Sequence, residues 1–206
     1  MTAKGRFISL EGGEGVGKST QLRALAAALR ERGLTVVETR EPGGSDAAES
    51  IRRLLLEERD WPIEAEALLF AAARADHVEK TVRPAMERGN WVLSDRFVDS
   101  SLAYQGGAGG LGIERVRELH RFATGRFMPD RTLVLALPEG KARAQARDGH
   151  SGDRIGGRGP EFHHKVDLAF QMIAAEEPER VKLVDASGPE ADVTQRLLGA
   201  IADLLP

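Results

Sequence analysis

Short runs of apolar and β-branched residues alternate along this chain with longer stretches whose apolar positions recur at helical spacing. The first run, residues 6–10 (Arg-Phe-Ile-Ser-Leu), reads as a strand and gives way to a glycine-rich turn from Gly12 to Gly17. A helix follows over about 18–32, with Leu22, Leu25, Ala26 and Leu29 on one face and Gly33 as its stop. Residues 34–39 form a second strand that ends in the turn signal Glu41-Pro42-Gly43-Gly44. Helical patterns cover about 47–58, 63–77 and 78–88, the last interrupted by Pro84. Further strands are predicted at 91–95, 132–137 and 181–185, and a closing helix at about 189–205. Strands that alternate with helices in this way predict a five-stranded parallel sheet covered on both faces. One α/β domain is expected over 1–206.

Two segments break the rhythm. Residues 105–112 (Gln-Gly-Gly-Ala-Gly-Gly-Leu-Gly) read as a mobile glycine-rich loop. Residues 148–160 are polar and glycine-rich and carry Arg154 and Arg158 between helical patterns, the composition of a lid over a charged substrate.

Composition narrows the class. Hydrophobic residues make up 41% of 206, enough for a real core, while 5% aromatic residues disfavour an aromatic nucleic-acid platform. A net charge of -3 excludes strongly basic nucleic-acid binding. No cysteine is present, so there is neither a thiol nucleophile nor a disulfide. No apolar run approaches the ~20 residues that span a bilayer, so no membrane contact is expected and a cytoplasmic location is. Only 6 of the 29 basic residues are lysines; the rest are arginines, whose forked donors suit phosphate.

The chemistry begins at Gly12-Gly13-Glu14-Gly15-Val16-Gly17-Lys18-Ser19, which matches G-x-x-x-x-G-K-[ST] between a predicted strand and helix. Glycines let backbone N–H groups converge on phosphate oxygens, and the helix N-terminus adds its positive end. Lys18 is expected on the β/γ-phosphates and Ser19 on Mg²⁺. Asp95 ends a strand where a carboxylate can help position Mg²⁺, and Arg96 beside it adds a phosphate-binding cation. This reading alone admits a switch, a motor or a kinase, although no Asn-Lys-x-Asp guanine motif is present.

The chain also resembles the thymidylate kinases over nearly its whole length. The similarity runs through residues 8–20, Thr39-Arg-Glu-Pro-Gly-Gly-Ser45 and the pattern Phe70-x-x-x-Arg74-x-x-His77. It continues in residues 94–106 (Ser-Asp-Arg-Phe-Val-Asp-Ser-Ser-Leu-Ala-Tyr-Gln-Gly), in Pro129-Asp130 and in Asp153-Arg154. The resemblance implies a P-loop NTPase-like fold and transfer of the γ-phosphoryl of ATP to thymidine 5′-monophosphate (dTMP), by a cytosolic homodimer. It implies an ATP site from Gly12 to Thr20, with Phe70 stacking on thymine and Arg74 bonding its carbonyl edge. It further implies Ser101 and Gln105 along the base, Tyr104 near the sugar, and Glu14 near its 3′-hydroxyl.

The acceptor is already ionised near neutral pH, so cations rather than a base should carry the catalysis. Lys18, Arg96, Asp95 and lid arginines are the catalytic candidates. Members of the resembled family carry an extra catalytic arginine either inside the phosphate loop or in the lid; with no basic residue between Gly12 and Gly17, the resemblance implies a lid arginine here, Arg154 or Arg147, with Arg158 a lesser candidate. The rival reading is a P-loop kinase for another acceptor, or a nucleotide-dependent switch.

Overall fold

The computed structural model describes residues 5–57, 60–137 and 154–206. Among them, five strands form one parallel sheet in the order β2-β3-β1-β4-β5. They are β1 (Phe7–Glu11), β2 (Val36–Arg40), β3 (Trp91–Asp95), β4 (Arg131–Ala136) and β5 (Val181–Asp185). β1 lies between β3 and β4, with Leu10 opposite both Asp95 and Leu133. Every residue of β1 is buried, as a central strand covered on both faces requires.

Successive side chains of a strand point to opposite faces, and here they divide the core in two. Phe7, Val92 and Val134 pack on one side with Phe97, Phe170 and Ile173. Ile8, Leu10, Leu93, Leu133 and Leu135 pack on the other with Leu25, Leu29 and Leu197. The second face is covered by α1 (Lys18–Glu31) and α8 (Glu190–Ala200). The chain continues through α2 (Asp46–Leu56), α3 (Ile63–His77), α4 (Arg83–Glu87), α5 (Val98–Ser101), α6 (Ile113–Thr124) and α7 (Pro160–Glu176). The fold is the α/β, P-loop NTPase-like sheet the patterning predicts. The connection leaving β1 leads to one side of the sheet and that leaving the neighbouring β3 to the other, and ligands bind such sheets beyond the carboxyl ends of the strands at this switch.

Three details depart from the sequence reading. Residues 105–112 are not a loose loop: Leu102–Ala108 is a π-helical turn with Tyr104, Gln105 and Gly106 buried. Its glycines serve close packing, since a Cβ on Gly107 would stand 2.7 Å from the Ala169 Cβ of α7. Pro84 does not break its helix. It sits in the first turn of α4, where no N–H is needed, after a π-helical turn over Val78–Val82. Helix α6 has its apolar positions spaced by charged residues, and the patterning did not single it out.

Candidate functional site

A cleft of about 490 Å³ opens beyond the carboxyl ends of β1 and β3, within the size range of small-ligand sites. Its floor is the loop from Gly12 to Gly17. Gly12 has φ +130°, and a Cβ there would collide with the Leu135 carbonyl of β4 at 2.5 Å. Only glycine lets the loop leave β1 so close to its neighbour. Glu14, Gly15, Gly17, Lys18, Ser19 and Thr20 line the cleft, whereas Val16 turns into the core. Lys18 curls back, its Nζ donating to the carbonyls of Gly13 at 2.6 Å and Gly12 at 3.2 Å. Burial, reinforced by the nearby Arg96, lowers its ammonium to about 8. The Ser19 hydroxyl donates to Asp95 Oδ2 at 2.7 Å, so the two expected metal-side oxygens meet.

Arg96 has φ 72°, a left-handed conformation that costs a non-glycine residue about 1–3 kcal/mol. Its side chain is correspondingly well held. It donates to Glu14 Oε1 at 2.5 Å, Ser100 Oγ at 3.0 Å, the Gly12 carbonyl at 3.1 Å and the Tyr104 hydroxyl at 3.2 Å. Burial opposes its charge, but Tyr104, Glu14, Glu11 and Asp95 more than offset this and hold it firmly protonated. The strained turn is anchored from below by Glu11, which the sequence reading did not single out. Glu11 accepts from the Phe97 amide at 2.7 Å and from Ser100 Oγ at 2.5 Å. Burial, with Asp99 close by, pushes its carboxyl up to about 8.

The other wall is built from α3, the turn before α2, and the π-helical turn. Phe70 faces the cleft. Arg74, one helical turn later, lies behind the wall rather than in it. Its Nε donates to Glu41 Oε2 at 2.7 Å, and its Nη2 to Ser101 Oγ at 3.0 Å and the Phe97 carbonyl at 3.2 Å. Glu41 also bonds His77 Nδ1 at 2.8 Å, and His77 Nε2 reaches Thr39 Oγ1 at 2.7 Å. This buried chain fixes α3 against the Glu41 turn, which accounts for a histidine in the motif without a catalytic role. Ser101, Tyr104 and Gln105 all line the cleft.

Residues 154–160, the described part of the predicted lid, meet this wall. Ile155 lines the cleft, while the Nη2 atoms of Arg154 and Arg158 both reach Glu66 Oε2, at 2.5 and 2.6 Å. Arg154 therefore rests on the carboxylate that also holds Gln105, and it is not among the residues that line the cleft. Arg147 lies outside the described residues. Two further cations line the cleft that the sequence reading left out, Arg40 and Arg52. Arg52 donates to the Pro42 carbonyl at 2.7 Å and Arg40 pairs with Glu49 at 3.0 Å. Arg40 stands inside the quoted motif 39–45, which was the available signal, whereas Arg52 comes from α2 and had none.

Lys18, Arg40, Arg52 and Arg96 thus converge on one cleft, an arrangement that gathers phosphates. Comparison with known proteins bears on which ones. The thymidylate kinase family model matches residues 10–197. A thymidylate kinase of Rhizorhabdus wittichii is 60% identical, over 98% of this chain and 99% of the relative. Those of Symbiobacterium thermophilum and Bacillus pumilus are 48% and 44% identical, over 97% and 98% of this chain and 94% and 97% of the relatives.

Proposed function

The chain belongs to the thymidylate kinase family, and from that footing we propose that its cleft transfers the γ-phosphoryl group of ATP to dTMP. The observation that carries this reading is the continuity of the cleft. The phosphate loop and the wall of Phe70, Ser101, Tyr104 and Gln105 line one cavity, with Arg96 between them.

ATP lies along Gly12–Thr20, its phosphates taking loop N–H groups. Lys18 exchanges the Gly12 and Gly13 carbonyls for phosphate oxygens and neutralises charge there. Arg96 holds the dTMP phosphate in line with the donor, and Arg52 and Arg40 reinforce it from the cleft mouth. Glu14, which occupies Arg96 in this structure, is freed for the sugar 3′-hydroxyl. Tyr104 packs beside the sugar and excludes a 2′-hydroxyl. Phe70 stacks on thymine. Arg74 lies behind the wall with Nε and Nη2 committed to the protein, so the carbonyl edge is read by Nη1 once the base presses against the wall. Such catalysis needs no general base, only alignment and neutralisation of two polyanions.

The paired oxygens of Ser19 and Asp95 fit Mg²⁺, a hard cation that keeps several waters and takes one or two protein ligands. When bound, Mg²⁺ neutralises charge on the nucleotide phosphates. The lid supplies the remaining cation. Arg154 is our candidate, with Arg147 as its alternative, and its service requires leaving Glu66 for the moving phosphoryl group.

A second copy of the chain completes the assembly. α3 and α6 pack side by side and leave Leu68 57% and Phe122 91% exposed, which suits a homodimer face. No helix among the described residues is long and apolar enough to cross a membrane. A coupled assay with dTMP, UMP, AMP and thymidine side by side tests the function. Preference for dTMP is expected, and equal or better turnover of any other acceptor overturns the reading.

A further inference from the structure

Glu66 lies on α3 one helical turn before Phe70, is 0% exposed, and has no role in the chemistry proposed above. Both its oxygens are engaged. Oε1 accepts from Gln105 Nε2 at 2.8 Å, and Oε2 accepts from Arg154 and Arg158. A lone carboxylate at this depth would be strongly disfavoured, and the two guanidinium groups compensate it. A carboxylate so placed accepts hydrogen bonds and donates none.

That one-sidedness has a consequence for Gln105. Its side chain is an amide with two unlike ends, and in isolation either could face the base. Because Glu66 takes only a donor, the NH₂ end is drawn to α3 and the carbonyl oxygen is left for the cleft that Gln105 lines. We propose that Glu66 is a positioning residue for acceptor specificity. It orients the Gln105 amide so that the cleft offers an acceptor to the base, favouring pyrimidines with a ring N–H at position 3 over cytosine. Thymine and uracil carry that N–H; cytosine presents a bare nitrogen there, and two acceptors would then face each other without a proton. A site whose buried polar group is left unpaired rejects the wrong ligand strongly. The proposal rests on the dTMP reading above.

Glu66→Gln tests it, because a second amide can accept as well as donate and lets Gln105 turn over. The readouts are the ratio of kcat/KM for dTMP and dCMP, and binding of each nucleotide by calorimetry. In E66Q the preference for dTMP should fall at least tenfold, with KM for ATP unchanged. In a Gln105→Ala background the same substitution should leave the preference unaltered, since Glu66 acts through that amide. The exchange variant E66Q/Q105E restores a donor–acceptor pair with the acceptor now at position 105. It should recover the dTMP preference, and it decides the question if E66Q alone does not fold. An unchanged ratio in E66Q, an equal fall in the Q105A background, or no preference in the folded exchange variant overturns the proposal. A wild type that does not prefer dTMP over dCMP overturns the acceptor reading and this proposal together.

Discussion

The two ends of the cleft are built on opposite plans. The donor end is contiguous: Gly12 to Thr20 supply it from one strand–loop–helix unit, and its cation, Lys18, rests on carbonyls it must release. The acceptor end is assembled from β2, α3, the turn before α2 and the π-helical turn, and buried ion pairs lock it before any ligand arrives. Arg74, Glu41 and His77 form one such lock and Glu66, Arg154 and Arg158 another. The donor end is therefore organised by backbone and adapts its side chains, whereas the acceptor end is pre-organised. That difference suits the ligands. A triphosphate is recognised by charge and a flexible clamp suffices, while one base must be told from another by fixed donors and acceptors.

Substitutions can break that contrast. The largest effect is expected at Lys18. Lys18→Met should lower kcat by about 10³-fold or more while thermal unfolding changes little, because the ammonium acts on charge that grows in the transition state. A folded variant with near-normal turnover would remove Lys18 from the chemistry.

Arg154→Ala sharpens the comparison, since Arg154 belongs to the acceptor wall in this structure and is assigned to the donor phosphoryl during transfer. If it makes that exchange, kcat falls about 10³-fold and KM for dTMP barely moves. Steady-state kinetics that instead show raised KM for dTMP with normal kcat would leave Arg154 as a wall residue on Glu66.

Arg74→Ala should cost about 2–4 kcal/mol in kcat/KM for dTMP and leave KM for ATP almost untouched. It also strips Glu41 of its guanidinium partner, so the melting temperature should fall as well. Arg74→Lys, which keeps charge without the fork, should recover stability better than dTMP affinity. Equal losses for both substrates would mean that the acceptor wall and the phosphate loop are not separable units.

These contrasts track what was legible in the sequence. The loop proposed to hold the donor was legible as geometry because that geometry is local: glycine spacing, a strand before and a helix after place Lys18 and Ser19 at the cleft. So was the sheet, because its three central strands are buried on both faces and read as apolar runs, while the edge strands β2 and β5 show through their valines. The proposed acceptor wall could be named only through family resemblance, since Phe70, Arg74, Ser101 and Gln105 come together through tertiary packing. Glu11, Glu41 and Glu66 as holding residues were not legible at all. A buried carboxylate is indistinguishable in sequence from a solvated one until its partners, here Ser100, His77 and Gln105, are placed around it. The glycines of 105–112 misled for the same reason, because glycine marks both mobility and close packing, and only α7 against Gly107 decides between them.

A smaller effect follows from Lys18. Its ammonium titrates near 8 in the free protein, below the ordinary lysine value of 10.5, and it must be charged to meet phosphate. Activity as kcat/KM for ATP should therefore fall on the alkaline side with a midpoint near 8. ATP binding favours the charged form, so the limb in kcat should lie at higher pH and binding near pH 8 should take up protons. Folding carries the reverse sign. Between about 8 and 10.5 the unfolded chain binds more protons at this site, so Lys18 contributes stability that rises with pH there. Calorimetry in buffers of different ionisation enthalpy checks the proton uptake, and a flat kcat/KM from pH 7 to 9.5 would contradict the assigned burial.

The central claim is that two differently built ends share one cleft and that the phosphoryl group passes directly between them. An adenosine and a thymidine joined through a chain of phosphates tests this in one titration. The account predicts one molecule bound per chain, displacing both ATP and dTMP, with affinity well beyond that of either alone. Binding that displaces only one of the two, or that is no tighter than the better single nucleotide, would contradict it.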